Sequence, residues 1–183
     1  MATEVLREEI EAEEVERDQY LVFKIGSQEF GIQAMHVQEI SRVLETTKVP
    51  NSPPYIEGIM NLRGRLSSVI NFRIKFGFIP KEHDEDTRFI IVEHKNFPIG
   101  IIVDAVEEVI RIPDDILQKL PEATSTLVTE EFITNVGMMD KRLIILLGIV
   151  KVLDNTEILK HEEIKKVMEE VEQIEGRSTK DEG

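Results

Sequence analysis

The chain repeats itself. Tyr20–Arg42, YLVFKIGSQEFGIQAMHVQEISR, lies over Phe89–Arg111, FIIVEHKNFPIGIIVDAVEEVIR, with no gap. At this offset of 69 residues Gly31 falls on Gly100, Ile32 on Ile101, Val37 on Val106, Glu39 on Glu108, Ile40 on Val109 and Arg42 on Arg111. Two copies of one supersecondary pattern predict two similar subdomains. They are too few for a solenoid, which needs at least about three units to bury a continuous core, so a pseudo-two-fold pair is expected.

Each copy reads as a strand, a short turn, a second strand through the glycine, a bend and a third strand. Val, Ile and Phe dominate, as on a half-buried pleated surface. Gly26-Ser27 stands where the first two strands of copy one must reverse, and Lys95-Asn96 stands there in copy two; Gly and Asn tolerate left-handed backbone. Pro98 cannot donate to a ladder and is expected at a strand start or an edge. A fainter match pairs Ile59–Phe76 with Ile133–Leu153, placing Asn61 on Asn135 and Arg65-Leu66 on Arg142-Leu143. It calls for an insertion of a few residues in the turn, and each copy then ends in an apolar strand and a short helical tail.

Many short strands with frequent turn residues predict a mainly β fold, two five-stranded barrels side by side. Ile164, Val167, Met168, Val171 and Ile174 form one stripe at helical spacing with Gly176 as a C-cap, so a C-terminal amphipathic helix is expected to pack on a barrel. The organisation expected is an acidic N-terminal extension over 1–18, two intertwined β subdomains over 19–154, and a C-terminal helix and tail over 155–183.

Charge narrows the partners. The 183 residues carry a formal charge of −14, of which −6 lies in residues 1–18 and −4 in residues 157–183. No basic face is concentrated anywhere, which argues against nucleic acid and anionic membrane surfaces. No apolar run approaches the ~20 residues that span a bilayer, and the N-terminus lacks the basic and apolar regions of a secretory signal, so a cytoplasmic protein is expected. With no cysteine, disulfides, thiol nucleophiles and Cys-based zinc sites are all excluded.

Nothing in the chain names a reaction. The G-x-x-x-x-G-K-[ST], G-x-G-x-x-G and G-x-S-x-G motifs are absent. Of His36, His83, His94 and His161, no pair has the i, i+4 spacing of a helical metal site. HDED at 83–86 reads as a solvated linker rather than a chelating loop. Glu39, Glu108, Asp104 and Arg63 are the candidates for acid–base work, but the glutamates read better as surface strand residues beside Arg42 or Arg111. No catalytic residue, cofactor or metal is expected, and an interaction module of two β-barrels is the reading that remains.

One stretch goes further. GIMNLRGRLSSVINF, Gly58–Phe72, sets Asn61, Arg63, Gly64 and Arg65 between two apolar runs. Together with YLVFKIGSQEFGIQAMHVQEI, PIGIIVDAVEEVIRI and RLIILLGIVKVL, it resembles the CheW family of chemotaxis coupling proteins over roughly residues 19–154. The resemblance implies paired SH3-like barrels and a non-enzymatic adaptor that joins the cytoplasmic tips of chemoreceptors to the regulatory domain of the histidine kinase CheA, recruited to membrane-anchored arrays and monomeric when isolated. A free-standing relative of that regulatory domain is the alternative within the family. The resemblance also implies a partner-facing region that includes Val37, Glu39, Asn61, Arg63, Gly64, Val103 and Val106. Arg63 has two readings at this point: it faces a partner, or it pins the turn by pairing with Glu39. Asn71 stands where the family often has Asp.

Overall fold

The offset of 69 residues persists in three dimensions, but not as two separate halves. A computed structural model describes residues 17–120, 130–158, 163–166, 169–170 and 172–173. Its strands are β1 (Gln19–Ile25), β2 (Gln28–Gln33), β3 (Val37–Arg42), β4 (Ile56–Leu62), β5 (Arg65–Asn71), β6 (Arg88–His94), β7 (Phe97–Val103), β8 (Ala105–Arg111), β9 (Leu117–Gln118), β10 (Ile133–Met139) and β11 (Arg142–Leu147). Helix α1 (Phe72–Lys75) follows β5 and α2 (Ile149–Asp154) follows β11.

The strands form two sheets, ordered β8-β1-β2-β11-β10-β9 and β3-β6-β7-β5-β4. The third strand of each copy has crossed over. β3 pairs with β6, the first strand of copy two, and β8 pairs with β1, the first strand of copy one. The two registers are the same once 69 is added: Val37 faces Val92 as Val106 faces Phe23, and Glu39 faces Ile91 as Glu108 faces Val22. The same residue is skipped in each ladder, Gln38 in one and Glu107 in the other. A bulge of this kind bends an edge strand and sharpens its twist. The expected fold class therefore holds as two mainly antiparallel sheets, with one of six strands rather than five and neither built from one copy alone.

The fainter repeat differs from the expectation. β4 and β5 pair from Ile56↔Ile70 to Leu62↔Arg65, and β10 and β11 pair from Ile133↔Leu147 to Met139↔Arg142. Both hairpins turn through two residues, so the copies superimpose at a constant offset of 77 with no insertion. The structural mate of Asn61 is Met138, and Asn135 corresponds to Gly58. The identity of two asparagines hid the true alignment.

Burial follows the crossing. One face of each sheet contributes to a shared core, with Leu21, Phe23, Ile25, Phe30 and Ile32 from one and Ile70, Ile90, Val92, Ile99, Ile101 and Val103 from the other. The opposite faces enclose smaller cores of their own, Tyr20, Val22, Ile112, Ile144 and Leu146 in the first sheet and Met60, Val69, Phe89, Ile91 and Ile102 in the second. Strands buried on both faces read as near-continuous apolar runs. Gly31 and Gly100 match for lack of room in these small cores: a Cβ on Gly31 lands 2.8 Å from Leu146 Cδ2, and one on Gly100 lands 3.1 Å from Met60 Cε.

The chain ends are described in part. Residues 163–166, 169–170 and 172–173 are helical, and Ile164 is buried as its stripe predicts. Val167, Met168, Val171, Ile174 and Gly176 lie outside the described residues, as do residues 1–16.

Candidate functional site

Arg63 occupies the first position of the β4–β5 turn. Its φ is 52° and that of Gly64 is 83°. Positive φ at both central residues makes the two-residue turn whose twist matches the flanking strands. Gly64 takes this conformation freely, whereas at Arg63 it costs on the order of 1 kcal/mol. The Asn61 side chain offsets part of that cost, since its Oδ1 accepts from the Gly64 N–H at 2.8 Å. From the second sheet's β6–β7 turn, the Asn96 carbonyl accepts from the Arg65 guanidinium and braces the hairpin tip.

Arg63 Nη2 lies 2.7 Å from Glu39 Oε2. Glu39 is on β3 and Arg63 directly follows β4, and these are the two outer strands of that sheet, so the ion pair links its edges. The Arg63 side chain is 78% exposed and that of Glu39 27%. A pair this open to water contributes at most ~1 kcal/mol to the fold. What it fixes is the position of an exposed guanidinium, whose planar fork retains donors for a carboxylate or carbonyl.

An apolar rim follows from the crossed third strands. Val37 and Val106, related by the repeat, are half-buried and pack against the shared core. Ile40 and Val109, also related by the repeat, are 43% and 55% exposed. They stand opposite Ile90 and Leu21, which are both in the shared core, so their side chains continue that core outward on two outer strands. Ile40 and Val109 were not expected as surface residues; their matched apolar identity in the repeat was the available signal.

Of the residues expected to face a partner, Val37, Glu39, Asn61, Arg63, Gly64 and Val106 are exposed or half-buried. Val103 is not: it is 1% exposed and sits in the shared core, with no surface to present.

The remaining polar candidates are tied up in the scaffold. Asp104 accepts from the Gly26 N–H at 2.7 Å and pairs with Arg73, itself bonded to the Ile79 carbonyl, which locks the β1–β2 turn to α1. Glu108 pairs with Arg142 at 2.8 Å rather than with Arg111, as Glu39 pairs with Arg63 rather than Arg42. Arg142 also grips Glu29 through Nε at 3.2 Å and Nη2 at 2.7 Å, which holds the Glu29 carboxyl below its ordinary range. HDED forms a turn in which Asp84 accepts from the N–H groups of Asp86 and Thr87 and pairs with Lys81; these bonds lower its pKa to about 2. Asn71 Oδ1 caps α1 by accepting from the Ile74 N–H at 3.3 Å, and its amide faces Glu57 at 3.4 Å, where an Asp would set two carboxylates together. Among the described residues no three His, Asp or Glu converge on a metal-sized point, and no helix is long and apolar enough to cross a membrane.

Two crossed sheets, an apolar rim and one exposed, anchored arginine define a β-sheet module for protein–protein contact. The comparisons agree with that class. A family model for the CheW-like domain matches residues 19–157. The chain is 34% identical over 140 residues to a chemotaxis protein CheW of Klebsiella aerogenes, covering 76% of this chain and 84% of that one. It is 31% identical to a chemotaxis protein CheW of Helicobacter pylori, covering 74% and 81%. The crystal structure of the scaffolding protein TtCheW from Thermoanaerobacter tengcongensis superimposes with a TM-score of 0.67 at 32% identity, over 74% of this chain and 87% of that one. The chain belongs to the CheW-like family.

Proposed function

We propose that the chain is a non-enzymatic adaptor that couples methyl-accepting chemoreceptors to the histidine kinase CheA in cytoplasmic signalling arrays. Two surfaces support this. The rim of Val37, Ile40, Val106 and Val109 suits the apolar face of a receptor helix, which reads into a groove at i, i+3, i+4 and i+7. Glu39, Asn61, Arg63 and Gly64 form a rigid polar patch on the second sheet. The observation that carries the reading is Arg63, held at a strained turn position by Asn61 and Glu39 yet left exposed. A side chain needed only to pin the turn has no reason to stay in water.

The test is calorimetry of the chain with a CheA regulatory domain and a receptor cytoplasmic fragment, separately and together. Simultaneous, non-competing binding is the expected result. Arg63→Ala is expected to cost ~2 kcal/mol or more of affinity for one partner with the thermal midpoint nearly unmoved. Binding of neither partner by folded chain overturns the adaptor reading, and lost stability with intact affinity assigns Arg63 to the turn alone.

A further inference from the structure

The repeat places two parallel ladders in equivalent positions, and they begin differently. β11 pairs with β2 from Ile144↔Glu29 onward, through Ile145↔Phe30 and Leu146↔Gly31. At the matching place β5 pairs with β7 only from Val69↔Gly100 onward. The first two rungs, Ser67 with Pro98 and Ser68 with Ile99, are missing. Pro98 brings no N–H to a ladder, so the strands splay there.

A cavity of about 320 Å3 lies at the splay, lined by Leu66, Ser67, Ser68, Pro98 and Ile99 from the sheet. Its far side is Leu153 and Asp154 of α2, followed by Thr156, Ile158 and Ile164. Leu153, Asp154 and Thr156 lie within the stretch that matches the CheW-like domain, and Ile158 and Ile164 lie beyond it, so the wall is completed by residues that follow the matched stretch. At the equivalent place in the other half, Arg142 and Glu29 bridge the strands at 2.7 Å.

The chemistry of the walls selects a ligand class. The Ser67 and Ser68 hydroxyls are buried and have no hydrogen-bond partner. Buried polar groups are nearly always paired, so an orphan hydroxyl aimed into a cavity calls for a partner. Side chains alternate along a strand, so Ser68, on the same face of β5 as Leu66 and Ile70, turns toward the cavity, whereas Ser67 turns to the face of Met60 and Val69. The charged groups present are already matched: His94 Nε2 lies 3.2 Å and Lys95 Nζ 3.5 Å from Asp154 Oδ1. No net charge is left to hold an ion. A volume near the lower end of small-molecule sites with mostly apolar walls suits a compact organic body.

We infer that this cavity binds a small uncharged amphipathic molecule, an apolar body bearing a hydroxyl or carboxamide that pairs with the orphaned Ser68 hydroxyl beneath the segment that follows α2. The inference is independent of the adaptor reading. It is tested on the full chain by amide NMR titration with benzyl alcohol, toluene, benzoate and benzylammonium. Benzyl alcohol is expected to give saturable shifts at Ser67, Ser68, Ile99 and Ile158, binding about fivefold more tightly than toluene. The charged probes are expected to bind at least about tenfold more weakly, since neither finds an unpaired counter-charge. Ser68→Ala, which removes that hydroxyl and adds no bulk, is expected to bind toluene and benzyl alcohol alike, whereas Ser67→Ala is expected to keep the alcohol preference. Absence of saturable shifts at these amides, equal binding of a charged probe, or an alcohol preference that survives in Ser68→Ala overturns the proposal.

Discussion

Arg63 and Arg142 reach the same position of a duplicated strand and do different work there. Each pairs with the glutamate of a third strand, Glu39 or Glu108, residues that the offset of 69 superimposes. Arg63 reaches Glu39 from a turn, is mostly exposed and meets one carboxylate. Arg142 reaches Glu108 from the start of β11, is half as exposed, and also holds Glu29 with two hydrogen bonds. The structural mate of Arg142 is Arg65, and that of Arg63 is Asp140. Duplication has kept the backbone and the glutamates, while the arginine that meets them has moved. One half has an internal clamp and the other an exposed guanidinium.

The sharpest way to break this comparison lies at another mismatched pair. Gly58 corresponds to Asn135. Thr47 bridges to Ile59 across β4, and a Cβ on Gly58 lands 2.4 Å from the Thr47 carbonyl oxygen. Backbone cannot swing aside as a side-chain end can. Gly58→Ala is expected to cost about 3 kcal/mol or more in denaturant unfolding. Asn135→Ala, at a site that already carries a side chain, is expected to stay within about 1 kcal/mol. Equal costs would mean that the two hairpins are packed alike, and that the crossing at Thr47 is not what requires glycine.

Next in size is the clamp. Arg142→Ala leaves Glu29, a half-buried carboxylate, without its main partner and is expected to cost ~1–2 kcal/mol of stability, a figure discounted for the exposed part of the guanidinium. Binding to the kinase domain and the receptor fragment is expected to be little changed. That is the reverse of the pattern expected for Arg63→Ala. The Glu29 carboxyl is held below its ordinary value by Arg142, so the clamp's contribution is present at neutral pH and is lost as pH falls through the lowered value. If Arg142→Ala also weakened partner binding while Arg63→Ala did not, the roles assigned to the two halves would be exchanged.

Much of this architecture is legible in the amino-acid order, and what is not has a physical reason. Gly31 over Gly100 and Val37 over Val106 reveal the duplication because both halves face the same packing constraint. Strand exchange is hidden, since the apolar pattern of β3 fits a ladder with β1 as well as one with β6; only long-range pairing decides. Val103 is placed in the partner-facing region by the family resemblance alone, but β7 lies between β6 and β5 and the side chain is buried in the shared core. The anchored Arg63 and Glu39 pair was legible as an alternative, because the two blocks carry complementary charge. The Arg142–Glu29 clamp was not, because 113 residues separate its partners and nothing local marks them.

The smallest expected effect concerns His94, whose mate in the other copy is Ile25, a fully buried core residue. The same strand end therefore holds a hydrocarbon in one half and an imidazole in the other. Burial pushes the His94 pKa below its ordinary 6.5, with Lys95 acting the same way and the Asp154 carboxylate opposing them. Between the lowered folded value and 6.5 the unfolded chain binds more protons than the folded one. Stability from the neutral imidazole is thus fully present above the ordinary histidine range and falls as pH drops through the folded value. Melting curves from neutral to mildly acidic pH are expected to show a decline that His94→Gln flattens. Asp154→Asn removes the carboxylate that favours the imidazolium and is expected to steepen it. A decline unchanged in His94→Gln would place the titration elsewhere, and would make the two strand ends equivalent in spite of their different side chains.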